Sequence, residues 1–290
     1  MRTTRMWVRL HPQKTQETKM LKLMFITNDP IVALSAEKAG VDRIFVDLET
    51  IGKAERQGGL DTVQSMHTIA DVAAMRKILT KSELFVRVNQ FYEGSRKEIN
   101  AVIEAGADVV MLPYFVNAYQ VRKFIEFVGG RAKTCLLFET PESVTHVDEI
   151  LAIDGIDECF VGLNDLHLGY GRKFMFELVA DGTTDYLCYK FAQAGIPYGF
   201  GGIARIGTGM LPADVIMGEH VRLGSSIVIL SRGFCDVRTI PAEECGAVFA
   251  EEVPKMRAKE IELQGKSAQF LEENHAELQS AVQQIVESIE

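Results

Sequence analysis

Short apolar runs alternate with helix-type patterns from Leu21 to about Gly233, and this alternation constrains the fold more than any other feature of the chain. The runs are Leu21–Thr27, Arg43–Leu48, Leu84–Asn89, Val109–Leu112, Thr134–Glu139, Glu158–Gly162, Pro197–Gly199 and His220–Gly224. They are rich in Val, Ile, Leu and Phe, and they do not alternate polar with apolar. A strand wetted on one face alternates, so these read as strands buried on both faces of a parallel sheet. Between them, Pro30–Ala39, His67–Leu79, Arg96–Ala105, Val116–Val128, Pro141–Ile153, Thr183–Ala194 and Leu211–Met217 read as helices. Asp29-Pro30 and Thr140-Pro141 each set a capping side chain before a proline at the first helical position. Ala39-Gly40, Ala105-Gly106 and Ala194-Gly195 close helices with a residue that tolerates left-handed backbone.

Eight such strands with helices between them predict an α/β fold, a (β/α)8 TIM barrel over residues 21–240. A doubly wound open sheet is the competitor. That fold usually carries a glycine-rich phosphate loop after its first strand, where this chain reads Thr27-Asn28-Asp29-Pro30. Residues 1–20 form an N-terminal arm. Its Arg2, Arg5, Arg9, Lys14 and Lys19 against Glu17 suggest a transit peptide, but a clear apolar face is missing. Residues 241–290 read as a C-terminal helical extension. There Leu271, Leu278, Val282, Ile285 and Ile289 form a stripe at helical spacing. Such a stripe packs on its own barrel or on a neighbouring subunit; the second option makes a homo-oligomer the expectation.

Composition narrows the function. A net charge of −9 argues against nucleic acid as a partner. No segment approaches the roughly 18 apolar residues of a membrane span. The five cysteines are odd in number and lack a Cys-x-x-Cys pair, which argues against a disulfide framework or zinc site and favours the reducing cytoplasm.

Chemistry in such barrels gathers where the strands end. Glu139 and Asp165 each follow an apolar run, and two carboxylates on one rim suit a hard divalent cation, Mg²⁺ or Mn²⁺. Solvated carboxylates paired with a nearby Lys or Arg are the plainer reading. Arg87 lies amid apolar residues of the third strand and needs an anionic partner there. Asp47 and Glu49 end the second strand and can hold water around a metal or accept protons. A metal held by Glu139 and Asp165 would polarise a 2-oxo acid, with Arg87 on its keto oxygen. Gly162 and the backbone N–H groups of Leu163, Asn164 and Asp165 would hold the substrate carboxylate if a helix starts there. The long loop from Ile51 to Met66 carries Lys53, Glu55, Arg56 and Gly58-Gly59, and Arg56 is placed to meet the far end of a substrate or to form a surface ion pair. His67 and His167 are lesser candidates for acid–base work, and His146 reads as solvated inside the fifth helix.

These stretches resemble the metal-dependent (class II) pyruvate aldolase and citrate lyase beta-subunit family. The likeness rests on Ala39-Gly-Val-Asp-Arg-Ile-Phe-Val-Asp47-Leu-Glu49, Val86-Arg87-Val-Asn89 and Gly106-Ala-Asp-Val-Val-Met-Leu-Pro113. It continues through Leu137-Phe-Glu139-Thr and Ile156-Asp-Glu-Cys-Phe-Val-Gly162-Leu-Asn-Asp165-Leu, within residues 21 to 235. The resemblance implies metal binding by Glu139 and Asp165, contact of Arg87 with the oxo acid, and carbon–carbon lyase activity through a pyruvate-type enolate. It departs at Thr50. The aldolase branch has a histidine there and the thioester-acting branch tends to have an acid. A CoA-thioester lyase or hydrolase, and a non-catalytic member that binds an oxo acid, therefore stand beside the aldolase reading.

Overall fold

The structure, a computed structural model, describes residues 20–52 and 66–289. Eight parallel strands close into a barrel in chain order: β1 (Lys22–Ile26), β2 (Arg43–Asp47), β3 (Glu83–Arg87), β4 (Val109–Leu112), β5 (Lys133–Phe138), β6 (Glu158–Val161), β7 (Tyr198–Ile203) and β8 (Ile227–Leu230). Every strand pairs with its neighbours in sequence, and β1 closes on β8 with Lys22 opposite Ile227. The expected barrel is the one observed.

Alternate strand residues fill the interior in layers. At the N-terminal end lies a charged layer. Arg43, whose side chain is wholly buried, binds Glu158 through two bonds of 2.6 Å and Glu83 at 2.8 Å. Lys133 reaches Glu83 at 2.6 Å, and the Arg43 guanidinium lies 5.3 Å from the centre of the Phe85 ring. Above it Met24, Phe45, Phe85, Val109, Met111, Cys135, Leu137, Phe160 and Ile227 form an apolar middle. A buried arginine is tolerated because its donors are met; a single missing partner would leave an uncompensated charge costing about 3–5 kcal/mol. The third layer, at the C-terminal ends, is polar again and is described below.

The outer faces of the strands pack on a ring of helices: α1 (Pro30–Ala39), α2 (Ile69–Ile78), α3 (Ser95–Glu104), α4 (Ala118–Val128), α5 (Pro141–Thr145), α6 (Val147–Leu151), α7 (Leu163–Gly169), α8 (Glu177–Ala180), α9 (Thr183–Gln193) and α10 (Ala213–Leu223). Asp29 and Thr140 cap α1 and α5 as their sequence position implies. Two expectations need correction. His220–Gly224 is not a strand: α10 runs through it, and Gly224, at φ 67°, terminates that helix in the left-handed region. The eighth strand is the next apolar run, Ile227–Leu230, so Ser225-Ser226 precedes it. Pro141–Ile153 is not one helix either. It breaks at His146, where the Thr145 hydroxyl has turned back onto the Pro141 carbonyl at 3.0 Å, a bond that competes with helix continuation.

Two long helices, α11 (Ala242–Gln264) and α12 (Ala268–Ser288), complete the chain. The first lies on α1 and α10, the second on α10 and α8. Leu278, Val282 and Ile285 of the apolar stripe are buried in the chain's own core, so the stripe is covered without a second subunit and gives no reason from exposure for an oligomer. Asn274 sits within that stripe. It donates to the Val215 carbonyl at 3.0 Å and to Glu219 at 3.1 Å, and His275 meets Glu219 at 2.8 Å. Among the described residues no helix is long and apolar enough to cross a membrane, and all five cysteines are buried free thiols.

His220 is wholly buried on α10. It stacks on Phe200 with ring centres 3.9 Å apart, and its Nδ1 lies 2.8 Å from the Ser225 hydroxyl. Burial pushes its pKa down from 6.5 to about 3, against the weaker pull of Glu219. As the pH falls through that window the unfolded chain gains a proton that the folded chain refuses, so stability falls. Glu83 adds a second loss at lower pH. Its burial is outweighed by Lys133 and Arg43, which hold it near 2 instead of 4.5, so its contribution fades as the pH drops from 4.5 towards 2. His220→Phe should keep the stack and flatten only the upper limb of this acid loss, read from urea midpoints measured between pH 6.5 and 4.5.

Candidate active site

Arg87 ends β3 directly opposite Asp47, which ends β2. Two bonds of 2.8 Å run from Nε and an Nη of Arg87 to the two Asp47 carboxylate oxygens. Glu49, two residues on, places a carboxylate oxygen 3.4 Å from Arg87 Nε. Burial works against the guanidinium charge, and Asp47, Glu49 and Glu139 overcome it, holding Arg87 charged well above the ordinary arginine range. Glu139 therefore shares the electrostatic environment of Arg87 although β4 lies between their strands in the sheet order. Asp47 is committed on every side: Oδ1 also accepts the Glu49 amide at 3.2 Å. Its geometry suits holding the arginine better than accepting a proton.

Glu139 follows β5 and is 2% exposed. One of its oxygens accepts the backbone N–H of Tyr114 at 3.0 Å. Tyr114 has φ 47°, left-handed backbone that costs a non-glycine residue about 1–2 kcal/mol. The turn aims an amide at the carboxylate. On the other side is Gly162, where a Cβ would lie 2.7 Å from Glu139 Oε2 and 2.8 Å from its Cβ. Glycine at this position makes room for the acid. From Gly162 the chain enters α7, so the amides of Leu163, Asn164 and Asp165 lie in its first turn, where no helical carbonyl precedes them. Asp165 is 7% exposed in the same turn. The expected residues Asp47, Glu49, Arg87, Glu139, Gly162, Leu163, Asn164 and Asp165 thus all occupy the C-terminal rim of β2, β3, β5 and β6.

The family model for HpcH/HpaI aldolase/citrate lyase matches residues 22–183. This chain belongs to that family. A curated relative, the 4-hydroxy-4-methyl-2-oxoglutarate aldolase tasA of Hapsidospora irregularis, is 25% identical over 193 residues, which is 55% of this chain. The match spans 65% of that relative, just under two thirds of its length. Among solved structures, the HpcH/HpaI aldolase of Desulfitobacterium hafniense DCB-2 aligns with a TM-score of 0.58 at 18% identity, over 77% of this chain and 94% of that one. An HpcH/HpaI aldolase/citrate lyase family protein of Burkholderia cenocepacia J2315 aligns at 0.56 and 16%, over 84% and 94%. The citrate synthase SbnG aligns at 0.56 and 15%, over 74% and 88%. At these identities the likeness speaks for the barrel.

Within this HpcH/HpaI fold the remaining candidates are Thr50 and three histidines, His67, His146 and His167. Thr50, where the resemblance leads one to expect histidine, is held by Asn89: its amide and that of Ile51 donate to Asn89 Oδ1 at 2.8 and 2.9 Å. Asn89 in turn donates to Glu98 at 2.7 Å. Sequence reading quoted Asn89 only within a motif and missed this bracing role. His167 turns back into α7, with Nδ1 3.1 Å from the Leu163 carbonyl, and so is tied to its own helix. His146 stands at the break between α5 and α6, partly exposed and 3.8 Å from Glu149. His67 lies against the end of β2, where its Nδ1 meets the Asp47 amide at 3.0 Å. It precedes α2 rather than opening it, because Thr68 is the cap. Lys53, Glu55, Arg56 and Gly58-Gly59, like the arm at residues 1–19, lie outside the described residues.

Gly162→Ala tests the packing of this rim. The added methyl must push Glu139 aside, and the Tyr114 amide loses its acceptor. That amide should exchange hydrogen about fivefold faster, as for a bond worth about 1 kcal/mol. Hydrogen exchange followed by mass spectrometry should show this while residues 22–48 keep their protection.

Proposed function

We propose that the protein is a divalent-metal-dependent carbon–carbon lyase, an aldolase that acts on a 2-oxo acid through a pyruvate-type enolate. The observation that carries this reading is Arg87, a mostly buried cation clamped by Asp47 on the rim that also holds Glu139 and Asp165. A 2-oxo acid brings to such a rim a carboxylate and a carbonyl oxygen that must take on charge when the adjacent bond breaks.

The residues present fit a hard cation. Glu139 and Asp165 are buried carboxylates, and the lack of a side chain at Gly162 lets Glu139 pack directly against the start of α7. Among the described residues no cluster of three or more His, Cys, Asp or Glu could enclose an ion. Two carboxylates with the remaining positions left to substrate and water is how Mg²⁺ is commonly held. When bound, Mg²⁺ or Mn²⁺ supplies Lewis-acid polarisation of the oxo group.

The chain's own residues do the rest. Arg87 donates to the oxo oxygen and stabilises the negative charge that collects there as the enolate forms. Its permanent charge and planar donors suit this better than a lysine. Asp47 fixes the plane of the guanidinium. The first-turn amides of Leu163 and Asn164, beside the bare Gly162 backbone, receive the substrate carboxylate. Glu49 holds the water that carries the proton to and from the enolate carbon. Free buried thiols suit a cytoplasmic setting.

Thr50 favours a second reading. Without a histidine or an acid there, the same rim could serve a CoA-thioester lyase or hydrolase of the citrate/malyl type, or bind an oxo acid without turnover. Pyruvate incubated with the protein and Mn²⁺ in deuterated water separates these cases. Deuterium entering the methyl group supports the aldolase reading; no incorporation with either Mg²⁺ or Mn²⁺ supports the others. Arg87→Lys should lower the exchange rate by about 10²–10³ with metal affinity retained. Glu139→Gln and Asp165→Asn should each weaken Mn²⁺ binding measured by calorimetry, at least about tenfold, with circular dichroism unchanged. Equal Mn²⁺ affinity in both variants would remove the metal assignment.

A further inference from the structure

The last rung between β1 and β2 runs from the Thr27 amide to the Phe45 carbonyl, at 3.1 Å. Beyond it the two strands part, because the chain after Thr27 turns into the Asp29 cap of α1. The next amide of β2 on that side belongs to Asp47. In a longer sheet it would meet a β1 carbonyl. Here it donates to His67 Nδ1 at 3.0 Å. An imidazole nitrogen accepts only while it carries no proton, so the ring proton lies on Nε2.

His67 is itself fixed from behind. Thr68 and Asp71 form a capping box at the start of α2: the Thr68 amide donates to Asp71 at 2.7 Å, and the Asp71 amide returns a bond to the Thr68 hydroxyl at 3.3 Å. An unbroken line of contacts therefore leads from the α2 cap through His67 to the Asp47 amide, and from the Asp47 carboxylate to Arg87.

The geometry points to His67 as the positioning residue of the Asp47–Arg87 pair: as the neutral Nε2–H tautomer it holds the end of β2 from which Asp47 orients Arg87. This rests on the aldolase reading above, in which Arg87 acts on the oxo oxygen. The role needs an acceptor at the Nδ1 position and nothing else from the ring. It differs from a proton-transfer role, which would need the ring chemistry, and from mere completion of the sheet, which would leave turnover intact. His67 also lines a cavity of about 290 Å³ with Ile26, Thr27, Asn28 and Val237, which leaves space for other side chains at the site.

Substitution separates the three. His67→Ala should lower kcat for deuterium exchange into pyruvate by about 10², the scale of a misplaced reacting group, with KM and Mn²⁺ affinity near those of the parent. His67→Asn sets an amide oxygen where Nδ1 was and should recover most of kcat. His67→Gln, whose oxygen reaches towards the Nε2 position, should not. Wild-type kcat in His67→Ala overturns the proposal, and so does an asparagine variant as slow as the alanine one. Nitrogen-15 NMR of the unsubstituted protein gives a readout without turnover: His67 should show an unprotonated Nδ1 and a protonated Nε2. A protonated Nδ1 at neutral pH overturns the inference whatever the kinetics. If the unsubstituted protein exchanges no deuterium, the aldolase reading fails and takes the positioning role with it, while the NMR result still decides the hydrogen bond.

Discussion

Strands β2 and β3 carry an ion pair at each end, and the signs are exchanged between the two ends. Arg43 faces Glu83 where the strands begin, and Asp47 faces Arg87 where they finish. Strand residues alternate between interior and exterior, so a slip of β2 by one residue would turn Arg43 and Asp47 away from Glu83 and Arg87, to the opposite face of the sheet. It would also carry Phe45 out of the apolar layer it shares with Phe85. The paired charges thus fix the register of β2 on β3, and the rest of the interior follows from that register. They are buried and costly to desolvate, which makes specificity of alignment a better account of them than raw stability.

The two ends share chemistry but not surroundings. At the N-terminal end Arg43 is closed in by Glu158 and Glu83, and Lys22 and Lys133 balance the acids. At the C-terminal end Arg87 has Asp47, Glu49 and Glu139 around it, and together they outweigh the cost of burying its charge. The same arrangement of arginine and carboxylate closes the barrel at one end and lines the candidate active site at the other.

Much of this was legible in the residues. The unbroken apolar runs gave seven of the strands because burial on both faces leaves no polar alternation to confuse them. The rim residues Asp47, Glu49, Arg87, Glu139 and Asp165 could be picked out because charge beside such runs is conspicuous. The eighth strand was misplaced because His220-Val-Arg-Leu ends a helix whose buried face is as apolar as a strand, and only the left-handed Gly224 and two serines separate it from the true strand. Tyr114 gave no signal, since tyrosine has no preference for the backbone it adopts. The bonds from Asn89 to Thr50 and from Asp47 to His67 join residues that are distant in sequence, and local pattern carries no trace of them. The C-terminal stripe was visible, but Asn274 within it, the residue that ties α12 to α10, reads in sequence as an interruption.

The attachment of α11 to the start of β1 bears on the order in which the molecule can be built. The Leu21 amide donates to Glu260, the Leu21 carbonyl accepts from Arg257, and Arg257 also binds Asp42 at 2.7 Å. Residues more than two hundred positions apart therefore finish one another's hydrogen bonding. On the ribosome β1 emerges more than two hundred residues before the helix that satisfies its leading edge. Synthesis from the N-terminus favours units that fold as they appear. This barrel can gather its middle strands that way, but its seam stays open until Arg257 and Glu260 have been made.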